Sequence, residues 1–490
     1  MESLNQIMFR NIFHVLPELL WCGFGVLLML LQPFVKSRQA LTFLAMIGAA
    51  AGTLVTFFTT VGSGFSGLIQ FDTLSLFFHW LVGLVAFLVI LSSESYLQRE
   101  NLEGAEFYAL ILFATAGMGV LASAQELLTA FIGLEMSSIA SYVLAGYRRE
   151  SIKASESAMK YFLLGSFATA FFLYGIALVY GVTGSTNLAA LANASPKGTL
   201  LPLGLTLILV GLGFKVAAAP FQIWTPDVYE GAPTPVSALF SAGPKAATFA
   251  LLLRIFSTVH AATDYWFWAF WVLATLTMFV GNLGAMVQNN VKRMLAYSSI
   301  AHAGYTLVAF AAVTSVRGDP QAVAPAYAAV LFYLASYSLV SIGAFTVVSE
   351  IGGQGERYMT YDEYAGLGTR QPFAAAALTV FLLSFLGLPI TAGFFAKFYV
   401  FKAAIRSDLV WLAVFIAINS IIGAYYYFRL IVTMYMREYK GTVPADAAKG
   451  MSPTAAMVVA VAVLITLYLG LLPNHVLQIV LSRPLMLSAR

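Results

Sequence analysis

Charge is scarce in this sequence, and a single cysteine serves all 490 residues. Asp, Glu, Lys and Arg make up only 10% of the chain, while 60% is hydrophobic. A soluble globular protein carries roughly 25% charged residues. So few ionisable side chains could not cover a water-facing surface of this size, which excludes a soluble enzyme and a disordered scaffold. Cys22 alone can form neither a disulfide framework nor a multi-cysteine metal site, which excludes a secreted disulfide scaffold. Neither charge sign dominates: 26 Lys and Arg against 22 Asp and Glu leave +4, too little to suggest a nucleic-acid partner. The five histidines and the carboxylates show no metal-ligand spacing. A basic N-terminal flank and a small-residue cleavage site are missing too, so the first apolar stretch is expected to be a retained helix.

What remains is apolar sequence in blocks, with a mean hydropathy of +0.84. The blocks are continuous runs rather than ten-residue alternations, which rules out a β-barrel and predicts an all-α polytopic membrane protein. Fourteen spans are expected near 17–35, 40–62, 74–93, 106–123, 126–147, 158–182, 203–223, 234–258, 266–287, 293–314, 325–349, 373–401, 409–436 and 454–472. The segments around Gly352–Gln371 and Arg437–Ser452 read as loops. Gly62-Ser-Gly-Phe-Ser-Gly67 fits G-x-G-x-x-G formally, but it follows a membrane helix with no strand before it and reads as a chance match.

Alternate loops carry unequal positive charge. One set holds Lys36, Arg38, Arg99, Arg148, Arg149, Lys153, Lys292, Arg293, Arg357, Arg370, Arg437, Lys440 and Lys449; the other holds Arg10, Lys197, Arg254, Arg317, Lys402, Arg406, Arg483 and Arg490. The richer set is expected to face the cytoplasm, which places both termini outside.

Two spans are interrupted by proline, the seventh at Pro220 and the twelfth at Pro389. A proline removes a backbone donor and collides with the carbonyl four residues earlier, here Val216 and Phe385. Simple kinks would satisfy this pattern, but paired interruptions in two halves of a chain point to a transport site near the midplane. The halves also echo each other. Ser137-Ser-Ile-Ala matches Ser298-Ser-Ile-Ala, and Tyr161-Phe-Leu-Leu-Gly-Ser-Phe echoes Leu331-Phe-Tyr-Leu-Ala-Ser-Tyr. The unit is five helices, spans 4–8 and 9–13, and an odd unit makes an inverted repeat. The expected division is a three-helix segment over 1–105, repeats over 106–258 and 259–436, and a C-terminal helix segment over 437–490.

Glu18, Glu135, Lys160, Lys215, Lys245, Lys397 and Arg429 fall inside spans. A lysine at a helix centre costs roughly 2.5–3.5 kcal/mol on insertion scales. Lys215, Lys245 and Lys397 each lie near a proline, where opened carbonyls could solvate an ammonium. Glu135 is the natural acidic partner for a lysine in the first repeat, and a static Glu135–Lys215 ion pair is the plainest structural reading. Lys245 and Lys397 have no evident acidic partner, and a line of such lysines suits a proton relay. Lys160 lies near the start of its helix and could snorkel. His302 follows Ser299 by three residues on one face and could carry a hydrogen-bonded chain, or simply pack. Glu18 and Arg429 read as structural.

The segment GLGFKVAAAPFQIWTPDVYEGAPTP, from Gly211 to Pro235, resembles the signature of the antiporter-like membrane subunits of respiratory complex I. So do VKRMLAYSSIAHAGY from Val291, ESAMKYFLLGSF from Glu156 and the Leu16-Pro-Glu start of the first span. Within that family the chain is similar to the subunit N group of bacterial NADH-quinone oxidoreductase and to mitochondrial NADH dehydrogenase subunit 2. The resemblance implies a proton-translocating membrane-arm subunit with a polar axis along Glu135, Lys215, Lys245 and Lys397. Lys160 matches a family lysine of less certain role. It implies that NADH, FMN, iron–sulfur clusters and quinone belong to partner subunits, with no cofactor in this chain, and it implies a bacterial inner-membrane location. A subunit of a multi-subunit cation/proton antiporter and a non-transporting scaffold subunit remain the alternatives.

Overall fold

The computed structural model describes residues 11–192, 198–258, 263–315, 320–439 and 450–473. Of the loop charges, Arg10, Lys197, Arg317, Lys440, Lys449, Arg483 and Arg490 lie outside the described residues. The described chain is a bundle of long helices. The first six are α1 (Leu16–Leu31), α2 (Arg38–Leu54), α3 (Thr73–Arg99), α4 (Ala105–Ser123), α5 (Leu127–Ala145) and α6 (Ile152–Thr183). The seventh span is split into α7 (Leu200–Val216) and the short α8 (Thr225–Gly231), and α9 (Thr234–Thr258) follows. The rest are α10 (Thr263–Met286), α11 (Val291–Ser315), α12 (Pro320–Ile351), the split pair α13 (Pro372–Leu386) and α14 (Ala392–Arg406), α15 (Val410–Met436) and α16 (Pro453–Leu471).

Among the described residues, twelve helices are long and apolar enough to cross a membrane, or thirteen if Pro372–Leu386 is counted with the bent segment before it. The shorter apolar α1 and the interrupted pair α13/α14 stand at the first and twelfth of the expected spans. The core sits where the halves meet: α9, α11 and α12 are almost wholly buried, whereas α2, α6, α15 and α16 expose one apolar side. An apolar outer face has no cost in hydrocarbon, so exposed Phe167, Trp268 and Ile421 are consistent with a membrane setting.

Several boundaries differ from expectation for local reasons. The α6 helix begins six residues earlier than the apolar run, because the Ser151 side chain accepts from the Ala154 N–H and caps it. Lys160 is therefore about two turns inside the helix. The Gly62–Gly67 segment forms a small antiparallel ribbon, Gly62–Gly64 against Ile69–Phe71, that joins α2 to α3. Arg254, read as a loop charge, is instead buried near the end of α9 and doubly bonded to Asp72 at 2.7 and 3.0 Å. It also donates to the Ala122 carbonyl and the Ser75 hydroxyl, so the N-terminal helices hold one end of α9.

The other end of α9 is held by the loop after α12. Glu356 accepts from the Thr234 N–H at 2.8 Å and from its hydroxyl at 2.7 Å, which caps the helix. Lys292 lies 2.9 Å from the same carboxylate and also donates to the Ala232 carbonyl. Arg148 stands 3.5 Å away and also reaches Glu100 at 3.6 Å. Burial opposes the charge on Glu356, but Lys292, the hydrogen bonds from Lys292 and Thr234, and Arg148 outweigh it and hold the carboxyl below its ordinary value.

Candidate functional site

The two interrupted spans break in the same way, and not as proline kinks. The α7 helix ends at Ala217, a non-glycine residue at φ +61°, where Ala218 N–H reaches the Gly213 carbonyl at 2.8 Å. The α13 helix ends at Gly387, φ +89°, where Leu388 N–H reaches the Leu383 carbonyl at 2.9 Å. Both are left-handed terminators in which the N–H two past the helix end bonds back across the last turn. Pro220 and Pro389 follow the stop and prevent resumption, so the expected collisions with Val216 and Phe385 do not arise. The polypeptide then folds back closely. A Cβ on Gly393 would come 1.7 Å from the Ser384 carbonyl oxygen, so α14 packs on α13 only through glycine.

Each stop leaves carbonyls without helical partners, and these are put to use. The Trp224 indole donates to the Phe214 carbonyl at 2.9 Å. Across the second break, the Lys397 ammonium donates to the Leu386 carbonyl at 3.0 Å and to the Ser420 hydroxyl at 3.4 Å. Lys215 occupies the last turn of α7. The Lys397 ammonium thus sits at the carbonyl end of a half-helix, where the peptide dipoles present negative potential to a cation.

The expected Glu135–Lys215 ion pair is absent. Glu135 accepts from the Thr169 hydroxyl at 2.9 Å, and the ion pairs among the described residues lie elsewhere. Lys215 is buried, its ammonium 5.0 Å from the Tyr161 ring centre and 5.1 Å from that of Tyr142. Two electron-rich faces replace the carboxylate; when desolvated such a contact contributes about 2 kcal/mol or more. A second unpaired lysine, Lys245, follows Pro244 on α9 and is buried; it donates to the Ser299 hydroxyl at 2.5 Å and the Ser299 carbonyl at 3.2 Å. Lys397 lies 4.6 Å from the Tyr305 ring centre.

His302 continues the line from Ser299. Its Nδ1 is 2.6 Å from the Tyr333 hydroxyl and its Nε2 is 3.3 Å from the Tyr427 hydroxyl. Lys245, Ser299 and His302 line one small cavity of about 10 Å³. A second, also of about 10 Å³, continues past His302 to Ser384 and Gly393 at the α13/α14 break. Sequence reasoning missed the groups that extend this line. The Tyr427 hydroxyl meets the Ser298 hydroxyl at 2.6 Å, and the Tyr426 hydroxyl donates to Asn282, whose amide also meets Tyr305 and Asn419. Two fully buried asparagines inside apolar spans were the available signal.

Lys160 stands apart from the buried lysines. It is 40% exposed and bridges Asp227 at 2.7 Å and Glu156 at 2.6 Å. Arg429 donates to the Gln288 carbonyl and to Asn289, and it covers the Tyr361 ring, a helix-end tether. Glu18 and His79 meet at 2.8 Å in a buried pair between α1 and α3, with the other ring nitrogen on the Ser75 carbonyl. Among the described residues, no group of three or more His, Cys, Asp or Glu could hold a metal ion.

Comparison with known proteins adds a consistent set of likenesses. Residues 124–423 match the family model described as NADH:quinone oxidoreductase/Mrp antiporter, TM. A protein of Koribacter versatilis, NADH-quinone oxidoreductase subunit N 2, is 49% identical over 96% of both chains. The subunit N 1 of Solibacter usitatus is 47% identical, also over 96% of both. Among solved structures, a chain of respiratory complex I from Thermus thermophilus with bound aureothin is 37% identical, with a TM-score of 0.78 over 94% of this chain and 98% of that one. A chain of the Mrp complex from Dietzia sp. DQ12-45-1b shares the fold at 20% identity, with a TM-score of 0.82 over 97% of both.

Proposed function

The chain belongs to the NADH:quinone oxidoreductase/Mrp antiporter family, in its subunit N branch, and from that premise we propose a proton path along its buried lysines. It is a multi-pass membrane-arm subunit of NADH-quinone oxidoreductase, a proton-translocating complex, and its partners are the other membrane-arm subunits. NADH oxidation and quinone reduction, with their FMN and iron–sulfur clusters, take place in partner subunits, and this chain binds no cofactor of its own.

In this reading, protons load Lys215 and Lys245 in the first repeat, pass by Ser299 and His302, and leave by way of Lys397 in the second. Glu135 modulates Lys215 by approaching or leaving it, since an opposite charge favours the ammonium. The richer set of loop charges faces the cytoplasm of a bacterium, the membrane is the inner membrane, and both termini face outward.

One observation supports the relay above all. Lys215, Lys245 and Lys397 are solvated by aromatic faces, hydroxyls and carbonyls rather than by carboxylates. A buried lysine locked to a carboxylate gives up its proton reluctantly; one held by neutral groups can lose it without stranding an opposite charge. The test is proton translocation per NADH oxidised by the reconstituted complex. Lys245→Ala should assemble and lower that ratio, and an unchanged ratio would assign Lys245 to packing.

A further inference from the structure

On the side of the bundle that carries Arg148 and Lys153, an open cleft of about 140 Å³ lies between α6, α8 and α11. Its walls are charged. Asp227 of α8 takes Lys160 at 2.7 Å and Arg293 at 2.6 Å, while Glu230 takes Arg293 at 3.0 Å and Lys153 at 3.2 Å. These groups are between one-fifth and three-quarters exposed, so water competes for every pair and none is held irreversibly.

The residues next to the ion pairs form a closed apolar layer. Tyr161 follows Lys160 on α6, and Trp224 stands three residues before Asp227. The two rings stack at 4.5 Å between centres with planes only 6° apart, and both are almost fully buried. The same two residues reach the end of α7: Tyr161 meets the Lys215 ammonium and Trp224 is tied to the carbonyl of Phe214. The ion-paired residues of the cleft thus adjoin the stacked rings along the chain, and Tyr161 of that pair also meets the buried lysine. Trp224 ends the short turn Phe221–Trp224 and immediately precedes α8, a seven-residue helix.

We propose that Tyr161 and Trp224 form an aromatic shutter over Lys215, and that Asp227, through Lys160 and Arg293, is the latch that holds it closed. Release of Asp227 frees the start of α8, slides Trp224 off Tyr161 and lets water from the cleft reach the ammonium. Asp227 is in this sense a positioning residue for the proton path, and Lys160 serves the latch rather than the relay. The inference rests on the proposed role of Lys215, but its test reads access and not pumping, so either can fail alone.

The experiment uses the whole complex with Cys22→Ala and Lys215→Cys, labelled by methanethiosulfonate ethylammonium added from the side of the Arg148–Lys153 loop. Labelling of the closed site should be slow. Trp224→Leu should speed it about tenfold and Asp227→Asn several-fold, on the scale of one charge-assisted hydrogen bond, while Asp227→Glu should keep it slow. Equal rates in all four complexes, at normal subunit content, overturn the proposal. If Lys215→Cys prevents assembly, amide hydrogen exchange over residues 157–164 and 213–224 in complexes that retain Lys215 decides instead. Faster exchange with Asp227→Asn supports the latch, and unchanged exchange refutes it.

Discussion

The Lys397 ammonium rests 3.0 Å from the carbonyl oxygen of Leu386, reaching across the break to the last residue of the preceding half-helix. Lys215 lies in the last turn of the equivalent half-helix in the first repeat. The two lysines thus lie on opposite sides of their breaks, Lys215 before the stop and Lys397 beyond it. A half-helix end of this kind stabilises an ammonium by direction rather than by a fixed counter-charge.

The contact between Lys245 and Ser299 should be sensitive to one oxygen atom. Ser299→Ala leaves the ammonium the backbone carbonyl of residue 299 and the Tyr229 ring face, and removes a hydrogen bond to a charged group, at a cost of about 1.5–3 kcal/mol. The complex should still assemble, with proton translocation clearly reduced, while Ser299→Thr should retain most of it. The check is acidification by reconstituted vesicles with subunit content measured on the same samples.

Tyr427 joins Ser298 to His302 through its hydroxyl, at 2.6 and 3.3 Å, and its ring stacks on Phe385. Tyr427→Phe keeps the ring and deletes the oxygen. A stability loss of about 1 kcal/mol is expected, with normal assembly and a lower translocation ratio. Full translocation in this variant would route protons past His302 by Tyr333 alone.

The sequence exposed much of this arrangement because charge in hydrocarbon is conspicuous. Lys215, Lys245 and Lys397 stood out inside apolar runs, and Pro220 and Pro389 marked the broken spans. The kind of break was hidden, since nothing distinguishes Ala217 from its alanine neighbours as a left-handed terminator. The full surroundings of Lys215 were hidden as well: Glu135 is the nearest acid but makes no direct ion pair, and the Tyr142 and Tyr161 rings arrive from neighbouring helices. Glu356 went unnoticed because a carboxylate in a polar loop gives no sign that it caps a helix more than one hundred residues earlier. Arg254 looked like a loop charge because its partner, Asp72, is distant in sequence.

Glu356 should give the assembly an acid-sensitive clasp. Its carboxyl is held below its ordinary value of 4.5, so its contribution is complete at pH values above that and fades as pH falls through the lowered value. Glu356→Gln lacks this dependence. The thermal midpoint of the wild-type complex should exceed that of the variant at pH 7, and the gap should narrow as pH drops below about 4.5. Glu356→Ala should cost more, on the order of 3–5 kcal/mol, because Lys292 is left buried and unpaired. A gap that stays constant with pH would mean that Glu356 acts without its charge.

The relay itself is tested most directly at Lys215. Lys215→Arg keeps a cation at the end of α7 and over the Tyr142 and Tyr161 rings, but a guanidinium does not give up its proton at any relevant pH. The measurement is protons translocated per NADH oxidised by the reconstituted complex carrying this single substitution, with subunit content checked in the same preparation. The account predicts an assembled complex with a reduced ratio. A wild-type ratio in an assembled Lys215→Arg complex would show that this lysine never needs to release its proton, and would contradict the relay.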